Sequence, residues 1–192
     1  YETGRFTYGR NTNPLVEIVE SKIAALEHGE RCLLFSSGMA ATTSAVFHAC
    51  TTGGHIILQQ TGYNPVKNLM ERICIPKLKM EVTYSTLLDL DEVEKAIKPN
   101  TQLIIMESPS TFVFDIIDIE GVVRIAKQHG VRTYLDNTYC TPLFQKPLDL
   151  GVDYVMHTTS KYLGGHSDLI GGALLVKEWG DDLQNKQRAR FG

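Results

Sequence analysis

The chain has 192 residues, 43% hydrophobic and 21% charged, with a formal net charge of -3; this suits one α/β domain with a substantial core and excludes a disordered chain. Its 19 Lys and Arg are scattered among 22 Asp and Glu, so no basic stripe is offered to nucleic acid or an anionic membrane, and small metabolites are the expected partners. No apolar stretch approaches the roughly 18 residues of a membrane span and no basic-then-apolar leader is present; Cys32, Cys50, Cys74 and Cys140 form no CxxC pair, so a cytoplasmic protein with reduced core thiols and no metal is expected.

Residues 1–13 are rich in Gly, Thr and Asn without an apolar period and read as an extended arm. Pro14 suits the first turn of a helix whose Leu15, Ile18, Val19, Ile23 and Leu26 share one face, and Gly29 ends it. Arg31 to Phe35 is a short buried strand, after which Ser36-Ser37-Gly38-Met39 turns the chain into an alanine-rich helix. That helix points its amino end at the strand's carboxyl end, where backbone N–H groups and small hydroxyls make an anion site. His55 to Leu58 is a second strand, leading through Thr61-Gly62-Tyr63-Asn64-Pro65 into a helix to about residue 72.

Asp89 and Glu92 have capping-box spacing for a helix stopped by Pro99. Leu103 to Met106 is a strand ending at Glu107-Ser108-Pro109, and Ile119, Val122, Val123 and Ala126 return to helical spacing before Gly130. Val131 to Leu135 is a strand that closes on Asp136, Val152 to Met156 another, and Gly171 to Val176 a last apolar strand. Short apolar strands alternating with helices predict an α/β fold with a mainly parallel sheet and helices on both faces. Ligands gather beyond the carboxyl ends of such strands, where Ser37, Tyr63, Glu107, Asp136 and Lys161 all fall. A start at Tyr1 without methionine, and a stop just after a polar segment, lead us to expect part of a longer chain.

Lys161 follows the strand 152–156 in His157-Thr158-Thr159-Ser160-Lys161-Tyr162-Leu163-Gly164-Gly165-His166-Ser167-Asp168. Partial desolvation there favours a neutral, nucleophilic amine able to form a Schiff base with an aldehyde. Pyridoxal phosphate is the commonest such aldehyde, and it also needs a phosphate cradle and an acidic partner for its ring nitrogen. Asp136 supplies the acid; Ser37, Gly38, Met39, Thr158 and Ser160 supply N–H and hydroxyl donors; Tyr63 supplies a ring to stack; Tyr8 and Arg10 lie on an arm able to reach a neighbouring subunit. Each has a plainer use as well: Asp136 as a turn cap, Ser37 as a helix cap, Tyr63 as rim packing, Arg10 as a solvated terminus. A GxSxG elbow, an HExxH pair, GxGxxG after the first strand and a Walker loop are all missing, which disfavours hydrolase, zincin, dinucleotide and NTPase readings.

Tyr8-Gly9-Arg10 with Asn13-Pro14, Ser36 to Ala40, Asp136-Asn137-Thr138 and Thr158 to Asp168, in that order, resemble the Cys/Met-metabolism family of pyridoxal 5'-phosphate (PLP) enzymes. That family includes cystathionine lyases and synthases, methionine γ-lyase and homoserine-ester sulfhydrylases. The resemblance implies the large domain of a fold-type I, aspartate aminotransferase-like enzyme over residues 14–192, with the small carboxyl-terminal domain and its substrate-carboxylate arginine absent from this chain. It also implies that Lys161 bonds the cofactor, Asp136 pairs with the ring nitrogen and Tyr63 stacks on the ring. Gly38, Met39, Thr158 and Ser160 would hold the phosphate, and Tyr8 and Arg10 would reach a partner's phosphate within a homotetramer. The implied activity is β- or γ-elimination on a cystathionine-like amino acid, with γ-replacement on an O-acyl-homoserine, or a non-catalytic PLP-binding fragment, as alternatives. Two departures stand out: Tyr63-Asn64-Pro65-Val66 is similar to bacterial cystathionine β-lyases, and Thr111 stands where the family's ring-contacting asparagine is usual.

Overall fold

The computed structural model describes Gly9 and residues 13–177; Tyr8 and Arg10 of the arm lie outside the described residues. Among the described residues, seven strands form one sheet in the order β1-β7-β6-β5-β4-β2-β3. They are β1 Arg31–Phe35, β2 His55–Gln59, β3 Glu81–Ser85, β4 Thr101–Glu107, β5 Arg132–Asp136, β6 Tyr154–His157 and β7 Gly172–Val176. From β3 to β6 every pairing is parallel, whereas β7 runs antiparallel to both β6 and β1. Strands such as His55–Gln59 and Gly172–Val176 are buried along their whole length, as strands covered on both faces must be.

The helices are α1 Pro14–Glu27, α2 Gly38–Ala49, α3 Asn64–Leu69 running through a π turn at Met70–Cys74 into α4 Ile75–Leu78, α5 Leu90–Ala96, α6 Ile119–Gln128 and α7 Thr141–Phe144. One core layer joins Ile23 and Ala24 of α1, Val93 of α5 and the stripe Ile119, Val122, Val123, Ile125 and Ala126 of α6 to the sheet. On the opposite face Ala41, Ala45 and Val46 of α2 pack with Val66, Met70 and Cys74. Non-local burial of this extent supplies the main driving force for the fold. Cys32, Cys50 and Cys74 are buried free thiols.

Helix starts follow local chemistry. Asn13 accepts the Leu15 N–H at 2.9 Å, Ser37 accepts that of Ala40 at 3.1 Å, and Asp118 that of Gly121 at 2.9 Å, each satisfying an otherwise unpaired first-turn donor. Asp89 caps α5 through the N–H groups of Asp91 and Glu92. Two expectations are corrected. The left-handed residue ending α1 is His28, at φ 58°, one before Gly29; its ring is bonded to Asp149 at 2.7 Å. The apolar face expected on α1 is mostly uncovered, since Leu15, Ile18, Val19 and Leu26 are exposed and only Ile23 of the five is buried.

Topology sets the place of the site. The chain passes from β2 outward to β3 and then returns across β2 to build β4, β5 and β6. The direction of winding therefore reverses between β2 and β4, and the crossovers part there to leave a crevice at the strands' carboxyl ends.

Candidate active site

An open cleft lies at that reversal. Gln59 and Gln60 at the end of β2, Tyr63 at the start of α3, Glu107 at the end of β4 and Tyr134 and Asp136 on β5 line it, together with Lys67 and Tyr84. Glu107 and Asp136 are register partners on adjacent strands, so two carboxyls stand side by side.

Asp136 accepts the Thr138 N–H at 2.9 Å. Burial raises its carboxyl above the ordinary range, opposed by the Thr138 hydrogen bonds and by the positive charge His157 can carry. An anion here is costly until a cation meets it. Glu107 is pushed up to about 7, first by burial and then by the Asp136 charge, with bonds from Thr111 and Tyr63 pulling the other way. Its Oε2 accepts the Tyr63 N–H at 2.6 Å, its Oε1 accepts the Thr111 hydroxyl, and its own N–H donates to Gln59 Oε1 at 2.7 Å.

The donor residues converge on a second point beside the first. Ser37 is engaged as the cap of α2, while the Gly38 and Met39 N–H groups lie in its first turn, where a helix leaves its donors unpaired. Gly38 presses so closely on Thr158 that a Cβ there would overlap Thr158 Oγ1, and a Cβ on Gly172 would overlap the Ser37 carbonyl. The Thr158 N–H donates to Thr138 Oγ1 at 2.8 Å, so one short chain of contacts runs from Asp136 through Thr138 and Thr158 to the amino end of α2. Ser160 Oγ accepts the Gly171 N–H at 3.0 Å and braces the entry to β7.

Lys161 lies in a turn closed by its own N–H to the Thr158 carbonyl at 3.1 Å and by the Gly165 N–H to its carbonyl at 2.8 Å. Its side chain is exposed, contrary to the partial burial expected after β6. The three residues between the strand end and Lys161 carry it clear of the core. Tyr63 is also 47% exposed, one face open to the cleft mouth. The cleft thus brings Tyr63 and Asp136 together; Ser37, Gly38, Met39 and Thr158 form the neighbouring cradle; Lys161 and Ser160 sit on the turn beyond it.

Sequence reasoning missed a further layer. Behind β5 and β6, Glu27 of α1 is fully buried with Oε1 2.5 Å from His157 Nε2 and 2.7 Å from Asn137 Nδ2. Asn137 also exchanges bonds with Gln145. A charged residue at i+4 from Ile23 on the buried side of α1 was the available signal.

The profile of the family described as Cys/Met metabolism PLP-dependent enzyme matches residues 1–191. Cystathionine beta-lyase MetC of Bacillus subtilis (strain 168) is 42% identical over 193 residues, covering 100% of this chain and 49% of that protein. A cystathionine gamma-synthase of Mycobacterium tuberculosis (strain ATCC 25618 / H37Rv) is 37% identical, covering 91% of this chain and 45% of its own length. The crystal structure of a cystathionine gamma-lyase from Lactobacillus plantarum, complexed with L-serine, superposes with a TM-score of 0.92 at 38% identity, covering 98% of this chain and 49% of the other. The chain spans about half the length of the curated relatives it matches.

Proposed function

Because this chain belongs to the family of Cys/Met metabolism PLP-dependent enzymes, we propose that it is the large, cofactor-binding domain, over residues 14–192, of a carbon–sulfur lyase that eliminates the β- or γ-substituent of a cystathionine-like amino acid. One observation carries the cofactor's place: Asp136 is a half-buried carboxyl raised by burial, opening on a cleft that it shares with the Tyr63 ring. A protonated pyridine nitrogen supplies the cation that such a group lacks. The residues present therefore fit the group.

Asp136 would hold the ring nitrogen and Tyr63 would cover the ring. The Gly38 and Met39 N–H groups, with Ser37, Thr158 and Ser160, would take the phosphate at the amino end of α2, and Lys161 Nζ would hold the aldehyde carbon. Once bound, the cofactor supplies an electron sink that makes the proton α to a substrate's amino group removable. With the cofactor bound, Lys161 Nζ as a free amine would take up that proton. Its exposure on a turn, rather than in the core, gives it the reach to serve as both anchor and base.

Tyr8 and Arg10 are proposed to reach a neighbouring subunit's phosphate within a cytoplasmic homotetramer. The uncovered Leu15, Ile18, Val19 and Leu26 of α1 support burial against another surface. A second reading, γ-replacement on an O-acyl-homoserine, is favoured by the similarity to the mycobacterial cystathionine gamma-synthase.

Borohydride reduction of PLP-loaded protein followed by peptide mapping tests the anchor. The label is expected on Lys161 and absent from Lys161→Ala; a label elsewhere, or none in the parent, overturns the assignment. Release of keto acid and ammonia from cystathionine supports elimination, whereas thioether formation from O-acyl-homoserine and a thiol as the sole activity moves the protein to the second reading.

A further inference from the structure

Tyr63 begins α3 without a side-chain cap of its own, and its ring is half exposed at the cleft mouth, so its placement depends on whatever holds its backbone. Glu107 does so from three sides. Its Oε2 takes the Tyr63 N–H at 2.6 Å, its N–H is tied to the Gln59 side chain at 2.7 Å, and Gly62 is packed so that a Cβ would lie 3.2 Å from Oε2. Thr111, bonded to the other carboxyl oxygen, fixes the rotamer that makes this possible. A side chain at position 62 would require this contact to give by a few tenths of an ångström.

We infer that Glu107 is a positioning residue for the Tyr63 ring, with Thr111 as its brace, so that the loop after β2 is pinned to the end of β4 before any ring is covered. The part of this that concerns the cofactor rests on the reading of the cleft given above; the part that concerns Tyr63 does not. The hydrogen bond to a carboxylate is charge-assisted, so the grip is strongest when Glu107 is ionised. The titratable groups that line the cleft with it are Asp136 and Tyr134 from β5, Tyr63 just before α3, Lys67 of α3 and Tyr84 of β3.

The Tyr63 amide is read by hydrogen exchange and by its proton shift in isotope-labelled protein, and PLP binding is followed by induced circular dichroism and titration. In Glu107→Ala the Tyr63 amide should exchange at least about tenfold faster, with PLP affinity lower and the ring dichroism altered. Glu107→Gln, which keeps an acceptor, should restore most of the protection and the dichroism. In the parent the Tyr63 amide shift should titrate with a midpoint near the raised carboxyl's value of about 7, and in Glu107→Gln it should not. Should Glu107→Ala fail to fold, that titration decides the matter. Unchanged Tyr63 exchange in Glu107→Ala, or a titration that survives in Glu107→Gln, overturns the inference. A parent that takes up no PLP overturns the cofactor reading instead, and leaves the Tyr63 measurement to decide the role of Glu107.

Discussion

The ends of β4 and β5 and the turn after β6 carry candidate groups of opposite character. At the strand ends, Glu107 and Asp136 are half-buried and hydrogen-bonded to Tyr63, Thr111 and Thr138, all within this chain. Behind them Glu27, His157 and Asn137 are buried to 1% exposure or less. On the turn, Lys161, Tyr162 and residues 165–170 are all exposed, and the local hydrogen bonds are mostly backbone to backbone. The aromatic chain from Phe114 through Tyr139 to Tyr162 lies open beside it. The difference separates two tasks. Under the proposed function, the half-buried Asp136 would meet a ring nitrogen, and the exposed Lys161 would bond the cofactor and take up a proton.

Removing the deepest support of the enclosed region should have the largest effect. Glu27→Ala leaves His157 and Asn137 buried without their shared acceptor and should cost about 3 to 5 kcal/mol in denaturant unfolding; a loss below about 1 kcal/mol would place the two regions on an equal footing. A change of pH should come next. The folded Glu107 carboxyl titrates near 7 against an ordinary 4.5, so between those values the folded state keeps a proton that the unfolded state has released. The contribution of this group is therefore fully present below about 4.5, declines as pH rises through the window and levels off above about 7, amounting to about 3 kcal/mol at most. Urea titrations of cofactor-free protein across that range should lose this part of the decline in Glu107→Gln. The smallest effect belongs to the open turn: His166→Ala should change stability by no more than about 0.5 kcal/mol, and a larger loss would show that the turn is bound into the core.

Most of the sheet was legible because its central strands are continuous apolar runs ending in polar or glycine-bearing turns. β3 was not, since Glu81-Val82-Thr83-Tyr84-Ser85 is an edge strand with one exposed and four half-buried residues, and its sequence reads equally as a loop. The π turn at Met70–Cys74 was equally hidden inside an ordinary helical period. Apolar spacing placed Leu15, Ile18 and Val19 on one face of α1 but carries no information about what covers that face. At the proposed site, Asp136 and Lys161 were singled out by their position after strands. The clasp of Glu107 on Tyr63 and the contact of Glu27 with His157 join residues 44 and 130 positions apart, and no local period reports such a meeting.

The glycine seam where α2 begins has a consequence for engineering. Gly38, Thr158 and Gly172 come from three distant stretches, yet Thr158 fills the space that a methyl on Gly38 would need, and Ser37 and Gly38 fill that needed by one on Gly172. Copying the Ser-Ser-Gly-Met tetrapeptide into another scaffold would therefore transplant only a third of the joint. A working graft has to carry the mouths of β6 and β7 along with it.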